Sequence, residues 1–191
     1  MDTIATIKGR RTHKQFDTRP IDKQVIQSIL ECAVLAPNHR LTEPWRFYVL
    51  TGNKKNELAE QRRKARLAAL EDPTSERGIE TANQAYSFMA DVPVVIAVTA
   101  QRSPDDLYRE KEDYAAVSCA VQNMLLAAWD KGIGTYWGTG PLTKKPVAYE
   151  IIGADGAKEE IVGFIFFGYP KTEPELKPRT YEEKTVWYWE E

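Results

Sequence analysis

The chain has 191 residues, of which 42% are hydrophobic, and its formal net charge is −2. This length and apolar content exclude a disordered chain, and we expect one domain spanning residues 1–191. The nearly balanced charge argues against nucleic acid as the main partner. With no apolar run near the ~20 residues of a membrane span and no signal-peptide pattern at the start, a cytoplasmic protein is expected.

Cysteine and histidine usage gives little support for metal or disulfide chemistry. Cys32 and Cys119 lie in helical patterns without metal or redox spacing, so we expect them to be small core residues in a reducing compartment. The two histidines, His13 and His39, add no metal-ligand pattern.

Helical and strand patterns follow one another along the whole chain. In chain order the sequence predicts a helix over 3–11, a helix from an Asp22 N-cap to Pro37, a strand over 45–50, a charged helix from an Asn53 cap toward 70, a helix ending near 89, a strand over 94–99, a helix over 111–131, a strand over 135–137, a helix over 144–152 and a strand over 161–168. The apolar runs 94–99 and 161–167 are typical of strands buried on both faces.

A basic cluster follows the first predicted helix, in the segment from Gly9 to Lys14. Arginine presents a planar fork of donors that matches phosphate oxygens, and the Thr12 hydroxyl adds another donor. The cluster could therefore hold a phosphate. It could also be a solvated helix end whose cations suit the helix dipole.

Two further segments carry groups that could meet a flat polar ligand. The loop 36–45 contains Asn38 and His39, and the segment 132–141 contains glycines that let backbone N–H groups approach a ring. Each could instead be ordinary structure, with Trp45 or Trp137 in the core. The glycine segment follows a helix, not a strand, so it is not a dinucleotide fingerprint.

The C-terminal segment is predicted to be an extended arm, because prolines recur at 170, 174 and 178. It carries Lys177 and Arg179 and ends in the aromatic, β-favouring run 185–189. A run of this kind is unfavourable when exposed. We expect it to dock, either as an edge strand on its own sheet or across a second subunit.

Taken in order, these segments resemble the nitroreductase family of flavin enzymes along nearly the whole chain. The matching motifs are Arg10-Arg11-Thr12 with Lys14 and Phe16, Ala36-Pro37 leading to Pro44-Trp45-Arg46-Phe47, Gly132-Ile133-Gly134 with Trp137, Ile161-Val162-Gly163-Phe164 to Gly168-Tyr169-Pro170, and Lys177-Pro178-Arg179. The opening motif and His39 are most similar to the compact single-domain branch of that family.

The resemblance implies an α+β fold, a three-layer α/β/α sandwich with a mixed central sheet. It implies a homodimer in which the C-terminal tail extends over the partner subunit. It also implies an FMN-dependent oxidoreductase that passes hydride from NADH or NADPH through FMN to a nitroaromatic, quinone or similar electron-poor acceptor in a ping-pong cycle. A flavin reductase or dehalogenase-type enzyme with another acceptor, and a non-catalytic flavin-binding module, are the alternatives on the same fold.

The resemblance also assigns residues to the phosphate end of FMN. Arg10 and Thr12, with Arg11 nearby, are expected at the phosphate and ribityl chain. Lys177 or Arg179 is expected to reach the same phosphate from the arm.

At the ring end, the resemblance places Lys14 near the pyrimidine edge, where its charge would tune the flavin. Asn38 and His39 are expected to come from the partner subunit. The residues expected along the isoalloxazine near N5 are Trp137, Gly138 and Thr139. No side chain is assigned to proton transfer, because water can protonate the acceptor.

Two positions depart from the family pattern. Thr12 stands where serine is commoner, which keeps the hydroxyl. Glu43 stands where glutamine is commoner before Pro-Trp, which makes the site less suited to anions.

Overall fold

The middle of the molecule is a four-stranded antiparallel sheet. In the computed structural model, which describes residues 2–189, the strands are β1 (Trp45–Leu50), β2 (Val94–Gln101), β3 (Gly134–Gly138) and β4 (Glu159–Gly168). Their order in the sheet is β1-β2-β4-β3, which places the two most apolar strands at the centre. Both central strands are buried on both faces along most of their length, as predicted.

The sheet differs from the mixed one that the resemblance implied. All three strand pairings within residues 2–189 are antiparallel, and the parallel pairing there is an isolated bridge between Thr12 and Thr135. A mixed sheet needs a further strand running parallel to an edge. The remaining β-favouring segment, 185–189, forms no strand.

Six helices cover the two faces of the sheet and complete the three layers that were predicted. They are α1 (Thr3–Gly9), α2 (Lys23–Ala33), α3 (Gly52–Ala68), α4 (Glu76–Ala90), α5 (Leu107–Asp130) and α6 (Pro146–Ile152). One core cluster joins α2 and α5 to the sheet, and a second joins α3, α4 and α6 to the opposite face. Each helix of residues 2–189 is too short or too polar to traverse a lipid bilayer.

The helix boundaries follow local capping. Asp22 accepts a hydrogen bond from the Gln24 backbone N–H at 2.7 Å and caps α2 as predicted. α5 begins four residues before the predicted start, because Asp106 accepts from the Arg109 N–H at 3.0 Å. Cys119 is exposed on α5, so its prediction as a core residue is wrong; it lies on the side of the helix that faces away from the sheet.

A β-bulge in β4 lies next to Trp137 of β3. The register with β2 shifts between Val98 and Thr99, and Val162 is the residue left without a partner. The bulge leaves Gly163 beneath the indole of Trp137, where any Cβ would collide with the ring. Trp137 is half-buried against the α2–α5 core, and its N–H donates to the Val162 carbonyl at 3.4 Å.

The C-terminal arm is tied to the N-terminal segment and then runs exposed. The Asp17 N–H donates to the Tyr169 carbonyl at 2.7 Å, and the Lys171 N–H donates to the Gln15 carbonyl at 3.1 Å. Beyond this tie, Trp187 and Trp189 are 66% and 80% exposed and contact each other edge to face. The alternative in which the run 185–189 forms an edge strand on its own sheet is therefore not realised.

His13 is a buried polar side chain in the middle of the basic cluster. It is 1% exposed, and neither ring nitrogen has a hydrogen-bond partner within residues 2–189. Its ring stacks on Trp129 with a centroid distance of 5.7 Å. Gly134 lies so close that a Cβ there would be 2.9 Å from the His13 ring, so the space around the imidazole is tight.

This environment opposes a charge on His13. Burial is the main cause that lowers the pKa of His13; Glu173 acts in the opposite direction, and Arg10 and Arg11 add to the lowering. The unfolded chain therefore binds a proton on this residue at a higher pH than the folded chain does. Stability contributed by neutral His13 is present at neutral pH and is lost as the pH falls below the ordinary imidazole range.

We predict that acid destabilises the protein through His13. Between about pH 7.5 and pH 5.5 the free energy of unfolding should fall by at most about 1.4 kcal/mol per pH unit from this residue. The His13→Asn variant should show a shallower slope in urea unfolding followed by circular dichroism. The parent protein, unfolded over the same pH range, is the reference. An unchanged slope in His13→Asn would contradict the assignment.

Candidate functional site

The basic cluster begins where α1 ends. The helix stops at Gly9, two residues earlier than predicted, and Arg10 is extended with φ −56° and ψ 134°. Gly9 packs against Trp129, since a Cβ at Gly9 would lie 2.9 Å from the indole nitrogen. The segment that follows is thus held extended beside the C-terminal end of α5.

Arg11 closes the helix end. Its guanidinium Nη1 donates to the Lys8 carbonyl at 2.6 Å and to the Arg10 carbonyl at 2.9 Å. These bonds use carbonyl groups that the end of α1 leaves without a helical partner. Arg11 is therefore engaged with the backbone, while Arg10 is free to face a ligand.

Arg10 is surrounded by like charge. Burial, then Arg179 from the arm, then Arg11, lower the pKa of the Arg10 guanidinium. None of the ion pairs found within residues 2–189 involves Arg10. A half-buried arginine that approaches two other arginines without a carboxylate is a strong attractor for an anion.

The structure thus brings together part of the predicted phosphate group of residues. The charges of Arg11 and Arg179 both act on Arg10, although Arg179 lies 168 positions after Arg11 in the sequence. Thr12 is exposed beside them and bridges to Thr135 of β3. Lys177 is exposed on the arm.

Lys14, further along the same segment, lines a cavity of about 360 Å³. Lys171 lies on this cavity as well, with one carboxylate, Asp91, and three aromatic or aliphatic residues of the second core, Phe16, Phe88 and Val92. The cavity therefore has apolar and cationic walls. It follows the phosphate cluster by four extended residues, a reach of about 13 Å.

Two polar residues of α4 also line this cavity and were missed by the sequence reasoning. Gln84 and Ser87 face it from the helix that precedes β2. Their separation of three positions places them on one helix face. That spacing was visible in the sequence, but it is shared by many solvated helices and points to no site by itself.

Arg62 is another residue that the sequence reasoning missed. Its guanidinium carbon lies 4.4 Å from the centre of the Phe88 ring, and burial lowers the pKa of Arg62. It supports the aromatic wall of the Lys14 cavity from α3.

The loop that carries Asn38 and His39 is held in a strained conformation. Arg40, Leu41 and Glu43 all have positive φ values, between 44° and 56°. The Asn38 side chain stabilises the loop, since its Oδ1 accepts from the Glu43 N–H at 3.0 Å and its Nδ2 donates to the Ala36 carbonyl at 3.2 Å. Asn38 thus serves the loop's own geometry.

The loop is also fastened to α5. His39 Nδ1 lies 2.8 Å from Glu112 Oε2, and the Thr42 hydroxyl donates to Asp113 Oδ1 at 2.7 Å. His39 is exposed, with its other ring nitrogen away from this pair.

The loop and the basic cluster lie at opposite ends of α5. His39 contacts Glu112 near the start of the helix, whereas His13 stacks on Trp129 near its end. At about 1.5 Å per residue, these contacts are about 26 Å apart along the helix axis. One protomer cannot bring both groups to one small ligand, so a shared ligand would require the loop of a second copy.

The remaining predicted residues lie at the end of β3. Trp137 faces the α2–α5 core, Gly138 is partly exposed beneath Tyr136 and Phe166, and Thr139 is exposed. None of these three residues lines the Lys14 cavity. Gly138 and Thr139 nevertheless offer exposed backbone groups at a sheet edge.

Comparison with known proteins gives a consistent result. A sequence model of the nitroreductase family matches residues 7–169. The Bacillus subtilis (strain 168) protein named "Putative NAD(P)H nitroreductase YfhC" is 34% identical over 175 residues, which cover 91% of this chain and 87% of that protein.

Solved structures share the fold. A nitroreductase-like family protein from Bacillus cereus superposes with a TM-score of 0.81 at 29% identity, covering 97% of this chain and 95% of that one. The FMN-dependent nitroreductase NfnB from Mycobacterium smegmatis, solved in complex with NADPH, gives a TM-score of 0.74 at 18% identity, covering 96% of each chain. With most of its length matched by the family model and by a relative of this identity, the chain belongs to the nitroreductase family of oxidoreductases.

Proposed function

We propose that the protein binds FMN and uses it to carry reducing equivalents from NADH or NADPH to an electron-poor acceptor, such as a nitroaromatic compound or a quinone. The observation that carries the proposal is the unpaired guanidinium group of Arg10 beside Arg179, next to the Lys14 cavity. The names of the related proteins, which include an FMN-dependent nitroreductase solved with NADPH, support the choice of cofactor and reductant.

The residues fit FMN because the site has cationic groups at one end and a partly apolar cavity at the other, in the order that the ligand requires. FMN is a phosphate joined through a ribityl chain to a flat ring. Arg10 and Arg179, with Lys177 on the same arm, would hold the phosphate, and Thr12 would donate to the chain that follows it. Lys14 would lie at the ring, and Gln84 and Ser87 would face the same space from α4.

When bound, FMN supplies the hydride chemistry. The protein positions it and sets the charge around it. The Lys14 ammonium, in a partly apolar cavity, stabilises negative charge near the ring more than it would in water. Reductant and acceptor would occupy the same exposed side in turn, which gives a ping-pong cycle.

We further propose a homodimer in which each site is completed by the partner. His39 and His13 contact α5 at points about 26 Å apart along its axis, so Asn38 and His39 would serve the site of the other protomer. The exposed aromatic run 185–189 would cover the partner subunit. Exposed Ile4 and Ile7 on α1 add apolar surface that a partner could bury.

The proposed activity has a direct test. Purified protein should be yellow, or become yellow on addition of FMN, and NADH or NADPH should bleach the flavin absorbance under anaerobic conditions. Addition of a quinone or a nitroaromatic compound should restore the absorbance. Protein that takes up no FMN would refute the proposal. If the protein binds FMN but neither NADH nor NADPH bleaches it, the protein is a flavin-binding module without turnover.

The phosphate assignment predicts a large effect at Arg10. The Arg10→Ala variant should bind FMN at least about tenfold more weakly, because a buried charge-assisted bond to phosphate contributes about 1.5–3 kcal/mol. Flavin fluorescence quenching gives the dissociation constant. Arg66→Ala, at an exposed arginine of α3, is the matched control and should bind as the parent does. Equal weakening in both variants would refute the assignment.

The shared site predicts that FMN binding and dimerisation are coupled. Light scattering should give the mass of two protomers, and replacing Trp187 and Trp189 together by serine should weaken both the dimer and FMN retention. A stable monomer that still holds FMN would contradict a site made from two subunits.

A further inference from the structure

A groove on the outer face of α4 continues the Lys14 cavity, and we propose that it selects the acceptor by charge. In this proposal, Glu76 and Glu80 make neutral or cationic aromatic acceptors preferred over anionic ones. The inference rests on the proposed function, because it concerns the acceptor of that same site.

The groove is continuous with the cavity. It has a volume of about 450 Å³ and is lined by Glu76, Ile79, Glu80, Asn83, Gln84 and Ser87. Two of these residues, Gln84 and Ser87, also line the Lys14 cavity. A molecule that reaches the Lys14 cavity can therefore extend into the groove without leaving the protein surface.

The lining forms one stripe along the helix. Residues 76, 80, 83, 84 and 87 recur at helical spacing, so their side chains share one face of α4. From Glu76 to Ser87 the stripe is about 16 Å long. This is long enough for a substituted aromatic ring lying along the helix.

The floor of the groove offers surface for a ring. Ile79 is 46% exposed between the two glutamates and offers an apolar contact. Asn83 and Gln84 follow as hydrogen-bonding groups. This combination of an apolar contact with a few polar groups is typical of small-molecule sites.

The charges are opposite at the two ends of the combined surface. The Lys14 cavity carries Lys14 and Lys171 against a single carboxylate, Asp91. The groove carries two glutamates and no cation. Among the ion pairs within residues 2–189, none involves Glu76 or Glu80; the Glu80 carboxylate accepts from the Gln84 amide at 3.3 Å.

An acceptor whose substituent points along the groove therefore meets uncompensated negative charge. A carboxylate substituent would be repelled and an ammonium substituent attracted. Exposed charges interact weakly, so the two glutamates together should change the preference by about fivefold. The effect should weaken at high salt, because exposed charges are screened.

The kinetic test compares 4-nitrobenzylamine with 4-nitrobenzoate, which are of similar size and opposite charge. The readout is the ratio of their kcat/KM values in the FMN-loaded protein relative to the Glu76→Gln, Glu80→Gln double variant, since this comparison cancels the intrinsic reactivity of each compound. The double variant should lower the ratio about fivefold at low salt. The Glu57→Gln, Glu150→Gln variant removes two exposed carboxylates outside the groove and should leave the ratio unchanged.

A binding test needs no turnover. Calorimetry with 2-naphthylmethylamine and 2-naphthoate, which are not reduced, should show tighter binding of the amine and loss of that preference in the double variant. Glu80→Gln alone gives a second measurement should the double variant fail to fold. If the double variant reduces both nitro compounds and keeps the preference for the amine, the role of the groove in acceptor selection is refuted and the proposed function still stands. Absence of FMN uptake would refute the proposed function itself.

Discussion

The backbone hydrogen bonds of residues 13–17 hold the candidate site together. The His13 N–H donates to Thr135 of β3 at 2.9 Å, and residues 15 and 17 pair with 171 and 169 of the arm. The N-terminal segment is thereby fixed between the edge strand and the start of the C-terminal arm. Because the chain between them is extended, Arg10 and Lys14 are separated by up to about 13 Å.

This arrangement brings together positive charges that the other side chains of residues 2–189 do not neutralise. Arg11 and Arg179 add positive charge around Arg10, and the ring of His13 is buried in the same segment. Mutual repulsion of like charges opposes the compact state. A bound anion would remove that cost, which links the stability of this corner to ligand binding.

The α4 groove adds negative charge to the surface that carries positive charge at the Lys14 cavity. Lys14 and Lys171 lie at one end, and Glu76 and Glu80 lie at the other. Charged side chains along the path of the acceptor are a means of discriminating between acceptors.

Much of the fold could be predicted from local sequence. The β-favouring run 45–50 is a strand with the predicted ends, and Asp22 caps α2 as expected. The family motifs, which cover nearly the whole chain, also identified the three layers. The relative direction of the strands was predicted wrongly, because strand pairing is decided by contacts between distant segments. The run 185–189, which could have supplied a parallel strand, lies exposed.

Only part of the candidate site could be predicted from the sequence. Arg10, Thr12 and Lys14 stand together in the sequence, so their cluster was visible as a motif. Gln84 and Ser87 were not, since polar residues three apart occur on any solvated helix face. Arg11 looked equivalent to Arg10 until its bonds to the Lys8 and Arg10 carbonyls showed that it closes α1.

The sequence by itself determined the elements, their order and the chemical types that could bind a phosphate and a ring. These follow from periodicity, capping and composition, which are properties of short segments. The tertiary structure decided which of these types meet: Arg179 approaches Arg10, α4 faces Lys14, and the His39 loop is kept at the far end of α5. Such encounters depend on how helices pack across a sheet, and no short segment contains that information.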